Sequence, residues 1–374
     1  MKSPKSSASI ATFALFLLIS GAPDKTNAQN LSGPSPAAYS STAPQLSPEA
    51  SFFYEQLAPY GQWFWSDPYG WVWTPNNVAV GWRPYTDGHW VYADSGWTWA
   101  ADQPWGWAAF HYGRWFFETH RGWCWVPGSE WSPAWVAWHW GDDYCGWAAL
   151  PPGMDWQSRS SWDAVIPGFG WCFVPRRNFY DRHLVGEIAL AARNVTLLSV
   201  TREVTHFERR GNVIVNLSFT PELVERAVGR SVRRLEIAEV NSLSAAGAHM
   251  KGSSALAIYR PIVRETRVMT PLLRTQSAPG KVTFEKLQRD EAARHELEAQ
   301  QAREKETLTK IHATELRNPP SGVSAPELMQ RHQAERNEFN NHVVRQAQVF
   351  EQRQKTITPP ASQQIPNTNR KDER

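Results

Sequence analysis

Histidine and glutamate recur three residues apart near the end of the sequence, at His295/Glu298, His312/Glu315 and His332/Glu335. In a helix each pair shares one face, where an imidazole and a carboxylate could together bind a metal ion. Glu, Gln and Arg surround every pair, a composition that favours a solvated charged face over a series of metal sites. His89, His111 and His139 also lack the spacing of metal ligands. We therefore predict no metal and no other cofactor.

Catalytic motifs are missing from the sequence. There is no nucleophile elbow, no P-loop and no dinucleotide-binding fingerprint. Carboxylate pairs beside aromatic clefts can hydrolyse glycosides. Asp67, Asp87 and Asp94, however, fall among turn residues, where local backbone chemistry explains them. We expect that the protein is not an enzyme, and an envelope hydrolase is the least favoured of three functional hypotheses.

Tryptophan offers a different chemistry, because indole faces can stack on sugar rings while nearby carboxylates accept hydrogen bonds from hydroxyls. All 21 Trp lie between Trp63 and Trp171. The alternative is that they form the core, because residues 52–175 contain only eleven Leu, Ile and Val. Each Trp can bury about 150–250 Å². We therefore assign about two-thirds of the indoles to the core.

Repetition separates the expected core Trp from the expected exposed ones. Trp71, Trp97, Trp123 and Trp171 recur in every repeat and are predicted to be buried. Four Trp that do not recur are predicted to be exposed and, with two neighbouring acids, to form a ligand-binding loop. This candidate site comprises Trp131, Trp135, Trp138, Trp140, Asp142 and Asp143.

The repeat itself is Gly-Trp-x-Trp or a near copy. It begins at Gly70, Gly96, Gly122 and Gly170, with 26 residues between each of the first three and 48 before the last. A Gly-x-Trp element precedes the first three copies and a second Gly-Trp follows them, which predicts repeated three-stranded antiparallel units. We expect a curved or closed β sheet, and closure into a barrel stays open.

The start of the chain has the features of a secretory signal. Lys2 and Lys5 precede the apolar stretch 8–20, and Thr26-Asn27-Ala28 places small residues before a cleavage point. No later segment is apolar enough to span a bilayer. We predict an exported protein of the periplasm, the cell envelope or the extracellular space.

Composition divides the rest of the chain. Strands are expected at 195–207, 212–217, 232–240 and 255–259, and a helix from Pro221 to Gly229. Ala, Glu, Gln, Arg and Lys dominate 281–355, which predicts a helical hairpin or an exposed arm rather than a stable coiled coil. The predicted segments are a signal peptide (1–28), a Pro/Ser-rich linker (29–50), a Trp-repeat β domain (52–175), a small α+β domain (176–268), a linker (269–280), a helical arm (281–357) and a disordered tail (358–374).

Charge is distributed unevenly along the chain. Residues 52–175 contain eleven acids, four Arg and no Lys, a net charge of −7, whereas the residues after Pro175 have a net charge of +9. An acidic aromatic module repels phosphate, and the basic helices interleave Glu with Arg. We therefore expect no nucleic-acid partner. The odd cysteine count, Cys124, Cys145 and Cys172, allows at most one internal disulfide, and its pairing stays open.

Several stretches resemble a Trp-rich repeat family of exported bacterial proteins, catalogued as domain of unknown function sixty-six hundred and sometimes labelled FecR-related. The matching stretches are 53–63, Gly81-Trp82-Arg83-Pro84-Tyr85, 105–115 and 146–152. The resemblance covers roughly residues 52–175, and 181–262 is similar to the segment that usually follows. It implies an architecture and an exported location but no activity. Cys124 and Cys172 depart from the family pattern, where Val is expected.

Two functions are favoured by these observations. The first is a non-catalytic envelope or secreted protein whose Trp-repeat domain binds a polymer, such as a glycan or peptidoglycan, or a protein partner. The second is a structural interaction scaffold whose basic helical arm docks elsewhere.

Overall fold

The computed structural model describes residues 45–157, 161–242, 255–263 and 284–356. The predicted signal peptide, the 269–280 linker and the 358–374 tail lie outside these residues, as does most of the 29–50 linker. All described residues fall within one compact unit, Ala43–Arg374.

The first element is helix α1, Pro48–Leu57. Ser47 caps it by accepting a hydrogen bond from the Ala50 N–H at 3.1 Å, and Pro48 occupies the first helical position. Phe53 and Leu57 are fully buried and anchor the helix on the aromatic core. The amphipathic stretch 51–57 by itself predicts a helical turn, and the helix begins three residues earlier.

Eight short antiparallel strands follow, paired as four β-hairpins. They are β1 Gly61–Ser66, β2 Gly70–Pro75, β3 Gly88–Ala93, β4 Gly96–Ala101, β5 Arg114–Glu118, β6 Gly122–Val126, β7 Val136–Gly141 and β8 Tyr144–Ala149. The prediction of repeated short antiparallel strands is confirmed.

The prediction of three strands per repeat is wrong. Trp82 lies in a loop, and the segment Gly106–Ala109 forms a single helical turn, α2. Pro84 and Pro104 in these segments supply no N–H for a strand ladder. The repeating unit is therefore a two-stranded hairpin.

Each hairpin contains a pair of Trp residues directly opposite each other at the equivalent position of its two strands, and the first hairpin has a second pair, Trp65/Trp71. The equivalent pairs are Trp63/Trp73, Trp90/Trp99, Trp115/Trp125 and Trp138/Trp147. The fourth repeat is therefore the β7–β8 hairpin, and the assignment of a partial fourth repeat to Gly170–Phe173 is corrected. Trp138 occupies a repeat position rather than an insertion.

The hairpins and the later strands assemble into three sheets. The later strands are β9 Cys172–Pro175, β10 Thr201–Glu203, β11 Phe207–Arg210, β12 Val213–Asn216, β13 Arg234–Val240 and β14 Ala255–Tyr259. The strand orders are β1-β2-β6-β5, β10-β7-β8-β9 and β11-β12-β4-β3-β13-β14. None of these sheets closes on itself. The strands after residue 176 thus extend sheets that the Trp repeats begin.

Two short helices interrupt these later strands. Helix α3, Asn194–Ser199, replaces the first half of the strand expected at 195–207, so that prediction is wrong there. Leu197 is buried and the Asn194 amide donates to the Trp171 carbonyl at 2.7 Å, and these tertiary contacts override the β-branched composition. Helix α4, Pro221–Val228, ends at Gly229 with φ of 72°, as predicted.

The C-terminal part consists of two long helices, α5 Phe284–Arg317 and α6 Ala325–Thr356. The prediction of long helices is confirmed. Contacts join residues of α5 and α6 in antiparallel order, such as Gln301 with Gln346 and His312 with Glu335. Helix α6 also packs on the Trp repeats, where the Arg353 guanidinium donates to the Val78 carbonyl at 2.9 Å. No helix in the described part of the chain is both long and apolar enough to cross a membrane.

Tryptophan dominates the interior. Fifteen of the 21 Trp are buried, which confirms the assignment of about two-thirds to the core. All four Trp of the Gly-Trp motif predicted to be buried are so: Trp71, Trp97, Trp123 and Trp171. Trp90 lies at the centre, with ring centroids of Trp99, Trp138 and Trp147 between 4.5 and 5.5 Å away.

Candidate functional site

The ligand-binding loop predicted from the sequence is not an exposed aromatic surface. Trp131, Trp135 and Trp138 are 3, 1 and 0% exposed, so the prediction that they face solvent is wrong. Arg114 covers the Trp135 ring, with the guanidinium carbon 3.4 Å from the ring centroid. The Trp135 indole N–H donates to the His111 carbonyl at 3.1 Å. These contacts hold Trp135 in the interior.

The other members of that loop are separated. Trp131 stacks on His111, and Trp140 is half-buried with its ring 4.7 Å from Phe219. Asp142 and Asp143 are exposed in the turn between β7 and β8. The structure does not bring the six predicted residues onto one surface, and their role in binding stays a prediction. The missed signal was the spacing of Trp138 and Trp147, which equals that of Trp90 and Trp99 and is one residue shorter than that of the pairs Trp63/Trp73 and Trp115/Trp125.

A different aromatic surface meets solvent on one face of the β1-β2-β6-β5 sheet. We call Phe64, Tyr69, Phe116 and Arg121 the outer aromatic patch. Tyr69 is 38% exposed and packs on Phe116 with ring centroids 4.8 Å apart. Arg121 lies over the Phe64 ring at 4.1 Å. The patch thus combines aromatic faces with a cation.

Strand alternation positions this patch. Trp63 and Trp65 leave one face of β1 and Phe64 leaves the other. Phe64 lies opposite Val72, and Phe116 lies opposite Cys124. Val72 and Cys124 are fully buried, so the aromatic rings rather than the central strands form this surface.

Polar groups border the outer aromatic patch, and Trp65 lies on the opposite face of β1. Trp65 is the most exposed Trp, at 49%, and contacts Trp71 edge to face. The Glu118 carboxylate accepts hydrogen bonds from the backbone N–H groups of His120 and Arg121, at 3.2 and 2.8 Å. Asp67 is exposed in the β1–β2 turn. A surface of this composition can stack on the C–H face of a sugar and bind its hydroxyls.

A hydroxyl, an imidazole and a carboxylate also lie in contact around His139 on β7. His139 lies 2.8 Å from the Thr201 hydroxyl through Nδ1 and 2.7 Å from Asp163 through Nε2. The Thr201 hydroxyl also lies 2.7 Å from the Leu197 carbonyl, and its side chain is buried in the β10–β7 pairing. Burial lowers the pKa of His139, and Asp163 opposes that shift. The contact joins β10 and the Asp163 turn to the β7 strand.

The three cysteines are free and buried. Burial raises the pKa of the Cys124 thiol to about 12 and also raises the pKa values of Cys145 and Cys172. A thiol with a raised pKa is a poor nucleophile and a poor metal ligand at neutral pH. Within the described ranges no cluster of three or more His, Cys, Asp or Glu could hold a metal ion.

The Trp repeats match the model of a protein family. No curated protein and no solved structure matches the chain. The match to a family model begins in the last turn of α1, includes the four Trp hairpins and ends before β9. Residues 54–154 match the model of a family of unknown function, DUF6600, and their Trp-rich hairpins are the feature by which the chain resembled that family.

Proposed function

We propose that the protein is exported and acts without catalysis in the cell envelope or outside the cell. Its Trp-repeat region binds a polymer there, such as a glycan or peptidoglycan, or a protein partner. The proposed export is supported by Lys2 and Lys5 before the apolar stretch 8–20 and by the small residues before position 29.

The observation that carries the binding proposal is the exposure of the outer aromatic patch, with Trp65 also exposed on the opposite face of the β1–β2 hairpin. In a region whose other aromatic side chains mostly form the core, Trp65 and Tyr69 are 49 and 38% exposed. Arg121 and Glu118 supply a cation and a carboxylate at the patch. Exposed aromatic residues next to charged groups mark surfaces that recognise a partner.

The alternative is a structural scaffold in which α5 and α6 form a helical hairpin that acts as a docking arm. Burial of fifteen of the 21 Trp favours this alternative, since most indoles then serve stability. The packing of α6 on the Trp repeats opposes a fully exposed arm. In this alternative the docking surface is α5, whose exposed face presents both acidic and basic side chains.

Sedimentation with insoluble peptidoglycan, chitin and cellulose separates the two proposals. We expect saturable binding of the exported chain to at least one polymer. The variant Phe64→Ala/Tyr69→Ala should lose at least tenfold in affinity, about the effect of two stacking contacts. Trp156→Ala is the matched control, because Trp156 is a half-buried aromatic residue under Arg209, in the loop after β8 and outside the outer aromatic patch. Absence of binding to every polymer by the folded protein would favour the scaffold.

Export is tested separately by cell fractionation. The full chain should appear in the periplasmic, envelope or secreted fraction and be shortened near Ala28 in mass spectrometry. A chain that keeps residues 1–28 and stays in the cytoplasm would contradict the proposal.

A further inference from the structure

A pocket of about 480 Å³, counting the part open to solvent, lies between helix α6 and the Trp repeats. We call it the α6 pocket. Its walls come from the β2–β3 loop, the β5–β6 hairpin, Phe169 and α6. None of the four residues of the outer aromatic patch lines it.

Gly81 allows α6 to approach the repeats at this point, whereas a Cβ on Gly122 would make an ordinary contact with α6. A Cβ on Gly81 would lie 2.4 Å from the Gln346 amide nitrogen, and one on Gly122 would lie 3.4 Å from Val349. Both glycines have positive φ angles, +89° and +84°. The backbone of the Trp repeats is therefore shaped to receive this face of α6.

The charged groups of the α6 pocket are all cationic. Arg83, Arg345 and Arg353 line it, and no Asp or Glu does. Arg83 is 9% exposed and donates to the Trp171 carbonyl at 2.6 Å, and Arg353 donates to the Val78 carbonyl. Among the described residues, neither guanidinium has a carboxylate within ion-pair distance. Buried charges without a counter-ion are costly, so this arrangement favours an anion.

Arg345 is the third guanidinium, and its charge is partly compensated. It pairs with Glu338 and lies over the Phe169 ring at 4.2 Å. Burial, together with Arg83 and Arg345, lowers the pKa of the adjacent His342 to about 4. His342 is therefore neutral at neutral pH, and the positive potential of the pocket comes from the guanidinium groups.

Gln346 provides an independent sign of a ligand. Its side-chain oxygen accepts a hydrogen bond from Gln301 at 2.9 Å. Its amide nitrogen is buried at the pocket wall and has no acceptor in the described residues. Gln346 is only 3% exposed, so water does not readily satisfy this donor. An acceptor atom of a ligand would do so.

The remaining walls are apolar and mostly aromatic. They are formed by Val78, Trp82, Phe117, Trp123 and Val349. Guanidinium groups bind carboxylates through two parallel hydrogen bonds, whereas the apolar walls favour a hydrocarbon body. We propose that the α6 pocket binds a small amphipathic carboxylate, with its head group at Arg83, Arg353 and Gln346 and its apolar body against the aromatic walls.

Calorimetric titration of the full chain with octanoate, octanol and octylammonium tests this proposal. Octanoate should bind at least about tenfold more tightly than octanol, because charged hydrogen bonds add to the common apolar contact. Octylammonium should bind most weakly. Equal affinity for octanoate and octanol, or no octanoate binding at millimolar concentration, would overturn the proposal. An absence of octanoate binding because another segment of this chain fills the pocket would overturn it as well.

Two variants and one control assign the binding to the pocket. Arg353→Gln and Gln346→Leu should each weaken octanoate binding about tenfold and leave octanol binding within about twofold. Arg336→Gln on the exposed face of α6 should change neither. If Arg353→Gln loosens α6, Gln346→Leu, which removes no charge, still provides the test. Unchanged octanoate affinity in a folded Gln346→Leu protein would place the binding elsewhere and overturn the assignment.

Discussion

The imidazole rings of His312 and His332 stack face to face, with centroids 3.9 Å apart and planes inclined by 16°. Each ring binds a carboxylate of the opposite helix. His312 Nε2 lies 2.7 Å from Glu335, and His332 Nε2 lies 2.7 Å from Glu315. Arg193, from the turn before α3, contacts both carboxylates, at 2.7 Å for Glu315 and 3.6 Å for Glu335.

This network corrects the interpretation of the His-x-x-Glu pairs as a solvated face. The interpretation is wrong for His312/Glu315 and His332/Glu335, which lie between the helices and the β region. It holds for His295/Glu298, whose side chains are exposed. Burial lowers the pKa of His312, a stacked His332 adds to that shift, and Glu335 opposes it.

Replacing the carboxylate at the centre of this network should destabilise the protein. Glu335→Gln removes the partner of both His312 and Arg193, and breaking a buried ion pair costs about 3–5 kcal/mol. The free energy of unfolding in urea measures the effect. Glu298→Gln, the equivalent change in the exposed pair, should alter it by less than about 0.5 kcal/mol. Similar small losses for both variants would contradict the structural role of the network.

Stability should decrease as the pH falls below about 6.5. Burial lowers the pKa values of His111 and His342 from 6.5 to about 4. The unfolded chain therefore binds protons that the folded chain excludes, so stability is complete above the unfolded pKa and is lost towards the folded pKa. At a pH of about 5, each histidine should lower the free energy of unfolding by about 2 kcal/mol.

The variant His111→Gln assigns this pH dependence. Between pH values of about 7.5 and 5, the variant should lose about 2 kcal/mol less free energy of unfolding than the unchanged protein loses. His295→Gln removes an exposed imidazole and should leave the pH dependence as it is. A flat pH profile for the unchanged protein would refute the burial of these histidines.

Two Trp variants should differ greatly in stability. Trp138→Ala removes a fully buried indole that packs on Trp90 at 4.5 Å, and such a truncation costs about 3–5 kcal/mol. Trp65→Ala removes a half-exposed indole and should cost less than about 1.5 kcal/mol. Thermal and urea denaturation measure both. Equal losses would contradict the packing of Trp138.

The three thiols should resist modification in the folded protein. All are buried, and burial raises the pKa of Cys124 to about 12. Iodoacetamide at neutral pH should label none of them, whereas the unfolded chain in guanidinium should gain three labels by mass spectrometry. Rapid labelling of the native protein, or an intramolecular disulfide in it, would contradict the structure.

Local patterns predicted local structure well. Thr220-Pro221 and Gly229 bounded α4 because capping and left-handed conformations depend on neighbouring residues. The strand at 255–259 and the two long helices also followed from composition and periodicity. The strand expected at 195–207 failed in its first half, because Leu197 and Asn194 make contacts with residues distant in the sequence.

The candidate site was harder to predict for the same reason. Spacing alone identified Trp138 as an insertion, yet it packs against Trp90, Phe179 and Phe219, which come from three different parts of the chain. The outer aromatic patch had no distinctive spacing. Its exposure became visible only in the structure, where Tyr69 is 38% exposed and packs on Phe116.

The sequence by itself determined that short, Trp-rich antiparallel strands repeat along the chain and that long helices follow them, because strand alternation, turns and caps are set by near neighbours. Only the tertiary structure decided which indoles are buried, which His-x-x-Glu pairs leave solvent and where α6 docks. Those outcomes depend on which surfaces meet. The stacked His312 and His332 meet because α5, α6 and Arg193 of the β region converge at one place.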